Sequence, residues 1–137
     1  MRVTRVTLDA SALVRAFALQ EPRDDAFDWL VAVHEGRVRA IAPELLFAEV
    51  ANTLLMYARA GAVELATAQQ LLDGAVRLPI VTFPLRELAP AALTVASARG
   101  LSAYDACYVA LAEQAGVPLL TADGRAAAAA ADSIFLR

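Results

Sequence analysis

The stretch VPLLTADGR, Val117 to Arg125, decides the fold. VPLLTA is a short apolar run that ends against Asp-Gly, which reads as a buried strand meeting a turn. Gly124 to Ala131 follows as a short helix. A strand that passes into a helix across a single acid is half of a parallel-sheet unit, because parallel neighbours need a crossover, usually helical. The same arrangement opens the chain. VTRVTLD (Val3 to Asp9) is rich in β-branched residues and reads as a first strand, with SALVRAFAL (Ser11 to Leu19) as the helix after it.

Working outward, RDDAFDWLVAVHEG (Arg23 to Gly36) places Phe27, Leu30, Val31 and His34 at helical spacing and stops at Gly36, a natural C-cap. VRAIA (Val38 to Ala42) is a second strand. Pro43 then opens a helix to Ala60, closed by Gly61. Glu64 to Leu78 is a further helix with Leu65, Ala68, Leu72 and Val76 on one stripe, and Pro79 to Phe83 is a third strand. Helices follow over Leu85 to Arg99 and Tyr104 to Ala115; Val117 to Ala122 is the fourth strand and SIFL (Ser133 to Leu136) a fifth. This alternation predicts an α/β fold: a small parallel sheet of four or five strands flanked by helices on both faces. In such sheets functional groups gather at the carboxyl ends of the strands.

The 137 residues suit a single domain spanning 1–137, with no internal repeat and no linker-like segment. The 59% apolar share, much of it alanine, favours a compact, helix-rich globule over disorder. No apolar run approaches the roughly 18 residues of a membrane span, and the opening MRVTRVTLDA lacks the apolar core of a signal peptide. Cys107 is the sole cysteine, so no internal disulfide forms, and a reducing cytoplasm is the expected compartment. Trp29, Phe17 and Phe27 are expected in the core, and His34 at a helix C-terminus.

The net charge of −3 offers no basic excess to advertise nucleic acid. Every basic residue except His34 is arginine, and the absence of lysine excludes several classes. A P-loop lacks its Gly-Lys-Ser/Thr. Receiver domains and haloacid-dehalogenase phosphatases also place acids at strand ends, but both use a lysine. No G-x-G-x-x-G supports dinucleotide binding.

Four acids remain. Asp9 ends the first strand and Asp123 follows the fourth; if the two strands are parallel and near neighbours, both carboxylates reach the same edge. Glu49 falls roughly 60° from Leu46 on its helix and so borders the apolar stripe, where an unpaired carboxylate is costly. Asp105 opens the helix after Ser102. Each also has a structural reading. Asp9 and Asp123 suit N-caps, Ser102 and Asp105 form a capping box, and Glu49 could pair with an arginine. Gathered in one cleft, however, the four would repel one another and need a neutraliser, for which a hard divalent cation, Mg²⁺ or Mn²⁺, is suited. One histidine and one cysteine make a zinc site of the usual kind improbable.

TLDASAL (Thr7 to Leu13), ELLFAEVANTL (Glu44 to Leu54) and LSAYDACYVALAEQAGVPLLTADGR (Leu101 to Arg125) resemble the signature segments of PIN-domain nucleases, and most of all the VapC toxins of bacterial type II toxin–antitoxin systems. The resemblance runs from Asp9 to Arg125 and is most specific in its last segment. It implies a metal-dependent endoribonuclease acting as a toxin. Asp9, Glu49, Asp105 and Asp123 fall on the family's acidic, Mg²⁺- or Mn²⁺-holding positions; Ser11, Asn52 and Thr121 fall on its supporting polar ones. It further implies an RNA substrate, a cognate antitoxin and a homodimer. The alanine run Ala126 to Ala131 departs from the pattern, outside the acidic positions. The alternatives are a PIN-type nuclease of RNA processing or of DNA, and a non-catalytic binding module in which the acids only cap helices.

Overall fold

The computed structural model describes residues 3–17 and 25–137. Its strands are β1 (Arg5–Leu8), β2 (Arg39–Pro43), β3 (Ile80–Phe83), β4 (Leu119–Thr121) and β5 (Ser133–Phe135). Its helices are α1 (Ala10–Ala16), α2 (Asp25–His34), α3 (Leu46–Arg59), α4 (Leu65–Val76), α5 (Leu85–Arg99), α6 (Ala103–Ala115) and α7 (Gly124–Ala129). All strand pairs are parallel, in the order β3-β2-β1-β4-β5. The chain therefore builds outward from β1 through β2 to β3, then returns to the other side of β1 for β4 and β5. The crevice beyond the carboxyl ends of β1 and β4 is the topological switch point, where open α/β sheets bind ligands.

Helices on both faces leave no solvated side to the central strands. Val6, Thr7 and Leu8 on β1, and Leu119, Leu120 and Thr121 on β4, are all buried, as expected of strands without polar alternation. Helix α6 packs on β1, β2 and β4 and is buried continuously from Ala106 to Ala112. A helix apolar on every side belongs inside. Its ends are set locally: Ser102 caps the N-terminus by accepting the Asp105 N–H at 3.1 Å, and Gly116 ends it in the left-handed region at φ 67°.

Several expected boundaries shift. Pro43 closes β2 instead of opening a helix, and α3 begins at Leu46. The β1 pairing of β2 stops at Ile41, so at Pro43 only β3 lies alongside and the missing N–H is tolerated. The first strand is trimmed to Arg5–Leu8, with Asp9 the N-cap of α1. The expected helix tail at Ala18–Leu19 and the start at Arg23–Asp24 lie outside the described residues. The inward faces of two helices also differ. In α2 the buried residues are Ala26, Ala32 and Val33, with Trp29 and Leu30 packed against the core, while Phe27 is 38% exposed. In α4 they are Ala68 and Ala75, with Leu71 and Leu72 beside them, and Leu65 and Val76 stand out in solvent. Alanines allow the closest helix approach, so they, not the bulkiest residues, take the contact line.

Candidate active site

Local sequence delivers each acid to the switch point by a different route. Asp9 leaves the end of β1 in extended conformation, and its backbone N–H donates to Leu120 O on β4 at 3.0 Å, which ties the two strand ends together. Its carboxylate does not cap α1. Instead Oδ2 accepts two hydroxyls, from Thr121 Oγ1 at 2.6 Å and Ser11 Oγ at 2.9 Å. Each hydroxyl is itself oriented from behind. Ser11 Oγ accepts the Ala122 N–H at 2.9 Å, and Thr121 Oγ1 accepts the Asp123 N–H at 3.0 Å. With both protons spent on Asp9, the 3.1 Å approach of the two hydroxyl oxygens is a consequence of their shared acceptor. Asp9 Oδ1 receives no hydrogen bond among the described residues.

Glu49 lies in the first turn of α3, half-buried beside the stripe of Leu46, Val50 and Leu54, as its angular position predicts. Its Oε1 accepts the hydroxyl of Tyr108 on α6 at 2.6 Å, and Oε2 has no donor among the described residues. Tyr108 is 1% exposed, so its hydroxyl needs a partner; it had the look of a core aromatic, and no sequence signal marked it as facing an acid. Asn52, one turn on from Glu49, does not reach it. Its amide points instead to Met56 Sδ at 3.9 Å. Asp123 does cap α7, through Oδ1 accepting the Arg125 N–H at 2.9 Å. Of the capping box at α6 only the Ser102 half forms, and the Asp105 carboxylate has no hydrogen-bond donor among the described residues.

All four acids, with Ser11 and Asn52, line one cleft of about 930 Å³ between α1, α3 and the start of α6; Thr121 is buried just behind it. Val14, Phe17, Leu54 and Tyr57 make its apolar wall, and Tyr104 stands 66% exposed at the rim beside Asp105. The electrostatics follow. Burial pushes the Asp9 carboxyl up, against the two hydroxyl bonds that favour its charge, and the charges of Asp105 and Asp123 add to the rise. Burial likewise raises Glu49, opposed by the Tyr108 bond and reinforced by Asp9 and Asp105. Among the described residues, no arginine acts on either group. Among the described residues, no three acids stand close enough to grip one ion directly. The donors are nonetheless all hard oxygens with free lone pairs facing an open volume, which suits a divalent ion that retains several of its waters.

Residues 6–132 match the model of the PIN domain, and the chain belongs to that family. Its similarity extends to Ribonuclease VapC3 of Mycobacterium tuberculosis, in strains CDC 1551 / Oshkosh and H37Rv alike, at 35% identity over 125 residues, covering 91% of this chain and 87% of the relative. Among solved structures it is similar to PAE2754 from Pyrobaculum aerophilum, with a TM-score of 0.71 and 31% identity over 98% of this chain and 91% of that one. FitAcB from Neisseria gonorrhoeae shares the fold at a TM-score of 0.56 and 17% identity, with 96% of each chain covered.

Proposed function

We propose that residues 1–137 act as a single PIN domain with endoribonuclease activity dependent on Mg²⁺ or Mn²⁺, the toxin of a type II toxin–antitoxin pair. The observation that carries the reading is the set of four carboxylates, Asp9, Glu49, Asp105 and Asp123, lining one cleft with Asp9 buried and held by neutral hydroxyls. Family membership and the relative named Ribonuclease VapC3 support it.

The four acids would hold the ion, in part through the waters it retains, and the ion would supply Lewis-acid activation of water and charge neutralisation for phosphodiester hydrolysis. The chain's own groups prepare the place. Ser11 and Thr121 fix the Asp9 carboxylate at Oδ2 and leave Oδ1 for the cleft. The Arg125 N–H fixes Asp123, and the Ser102 cap sets the first turn of α6 from which Asp105 projects. Asn52 offers an amide on the cleft wall. The apolar wall at Val14, Phe17 and Leu54 lowers the local dielectric and strengthens every charge interaction beside it.

The partners we propose are RNA as substrate, a cognate antitoxin and a second copy of the chain, in the cytoplasm. Leu55, Met56 and Tyr57 form an exposed run on α3 beyond the needs of its own core, a surface suited to protein contact. No helix among the described residues is long and apolar enough to cross a membrane. The purified chain is expected to cleave RNA with Mg²⁺ or Mn²⁺ and to stop on chelation. Expressed alone it should arrest growth, with light scattering giving a dimer. RNA left intact at every metal concentration would overturn the nuclease reading; harmless expression of a monomer would overturn the toxin assignment alone.

A further inference from the structure

Asp9 and Glu49 share a feature that comes from unrelated parts of the chain. Each has one carboxylate oxygen clamped by a neutral hydroxyl and the other without a donor among the described residues. For Asp9 the clamps are Ser11 and Thr121; for Glu49 the clamp is Tyr108, 59 residues away on the central helix. A neutral donor fixes direction and leaves the negative charge available, whereas an arginine would fix direction and cancel it. A buried tyrosine hydroxyl is ordinarily satisfied by a backbone carbonyl or by water. Here the 2.6 Å bond goes to a half-buried acid that had solvent within reach.

We infer that Tyr108 is the positioning residue of Glu49, holding Oε1 so that Oε2 is presented to a divalent cation in the cleft. The inference rests on the reading of the cleft as a metal site. It assigns to the aromatic the part for which Asn52 was the sequence candidate. Because α6 also carries Asp105 three residues earlier, one buried helix both supplies an acid and aims another. The reach of Glu49 is then fixed by the packing of α6 in the core, not by the rotamers of α3.

The test is Mn²⁺ binding to the purified chain by titration calorimetry, without RNA. Tyr108→Phe keeps the buried ring and removes only the hydroxyl, and it is expected to weaken Mn²⁺ binding by about tenfold, the scale on which outer-sphere partners act. Glu49→Gln should weaken it at least as much, while its amide oxygen still accepts the Tyr108 hydroxyl. The double variant should bind no more weakly than Glu49→Gln alone, because Tyr108 acts through that carboxylate. A Tyr108→Phe protein that binds Mn²⁺ like the wild type overturns the inference, as does a hydroxyl effect that persists undiminished in the Glu49→Gln background. Wild-type protein that binds no Mn²⁺ would overturn the metal reading and this inference together. The first two outcomes overturn this inference alone.

Discussion

Glu113 and Asp9 are both carboxylates fastened near an end of the same sheet, one where the chain enters β4 and β5 and the other where β1 ends. Glu113 receives a bidentate arginine: Arg99 Nη1 at 2.5 Å and Nη2 at 3.0 Å, with the Ala131 N–H at 3.1 Å and Arg99 also donating to Ala129 O. Those bonds join α5, α6 and the segment leading into β5. The Arg99 bonds hold the Glu113 carboxyl below the usual range. Asp9 is more deeply buried yet receives only hydroxyls, and burial drives its carboxyl the other way. The difference teaches what each end is for. A carboxylate whose charge is cancelled is a joint, and one that is oriented without being cancelled fits the cation-holding role proposed for the cleft.

The largest expected effect breaks the comparison at Asp9. Asp9→Asn keeps an acceptor for Thr121 and Ser11 and removes the charge, so RNA cleavage should fall by more than roughly 100-fold, beyond the loss typical of groups that merely orient a ligand. The metal-free melting temperature should rise, because a desolvated charge and its repulsions are gone. Asp105→Asn, Asp123→Asn and Glu49→Gln should act in the same sense; Asn caps α7 as well as Asp does, so loss of a cap cannot mimic the result. Four such variants with full Mg²⁺-dependent cleavage would remove the site assignment.

Metal itself gives the next effect. At about 100 times its dissociation constant Mn²⁺ should stabilise the wild type by about 2.7 kcal/mol, and Asp9→Asn by much less, as read by scanning calorimetry. Equal stabilisation of both would place the ion elsewhere.

At the other end, Glu113→Gln should lower stability by about 1 kcal/mol or less, since the pair is about one-third exposed and screened by solvent, and should leave cleavage unchanged. Acid then separates the two ends by sign. Asp9 has a raised folded value, so the wild type takes up that proton natively first; the advantage of Asp9→Asn should shrink as pH falls through that value and vanish below 3.8. Glu113 has a lowered folded value, so its contribution is full above 4.5 and disappears only as pH falls through the lowered one. Among the three metal-free proteins, acid should therefore erase a lead of Asp9→Asn over the wild type and a deficit of Glu113→Gln below it, as read by melting temperature. A lead at Glu113→Gln or a deficit at Asp9→Asn near neutral pH would contradict the assignment of charge states.

The smallest effect sharpens the role of the hydroxyls. Thr7 Oγ1, also on β1, is buried with no hydrogen-bond partner among the described residues, unlike Ser11 and Thr121, which meet an acid. Thr7→Val should stabilise the protein by about 1 kcal/mol by thermal melting and leave cleavage alone. A loss of activity would mean that this hydroxyl also serves the site.

The sequence alone determined most of the elements and singled out the four acids that line the cleft. Helical spacing, the β-branched first strand, the glycines after α2 and α3 and the Asp-Gly junction are all local signals, and a resemblance of three segments named the acidic positions. Legibility ended where contacts join distant residues. No local pattern said that β1 and β4 are neighbours, yet that adjacency brings Ser11 and Thr121, 110 residues apart, onto the same Asp9 oxygen. Nor did periodicity reveal that Tyr108, buried among apolar residues, turns its one polar atom to Glu49. The alanine contact lines of α2 and α4 were hidden for a related reason, since closeness of approach depends on the partner surface and not on a residue's own hydrophobicity. Backbone preference and burial pattern are written residue by residue, whereas the direction of a carboxylate is decided by whichever donor the packed tertiary structure sets beside it.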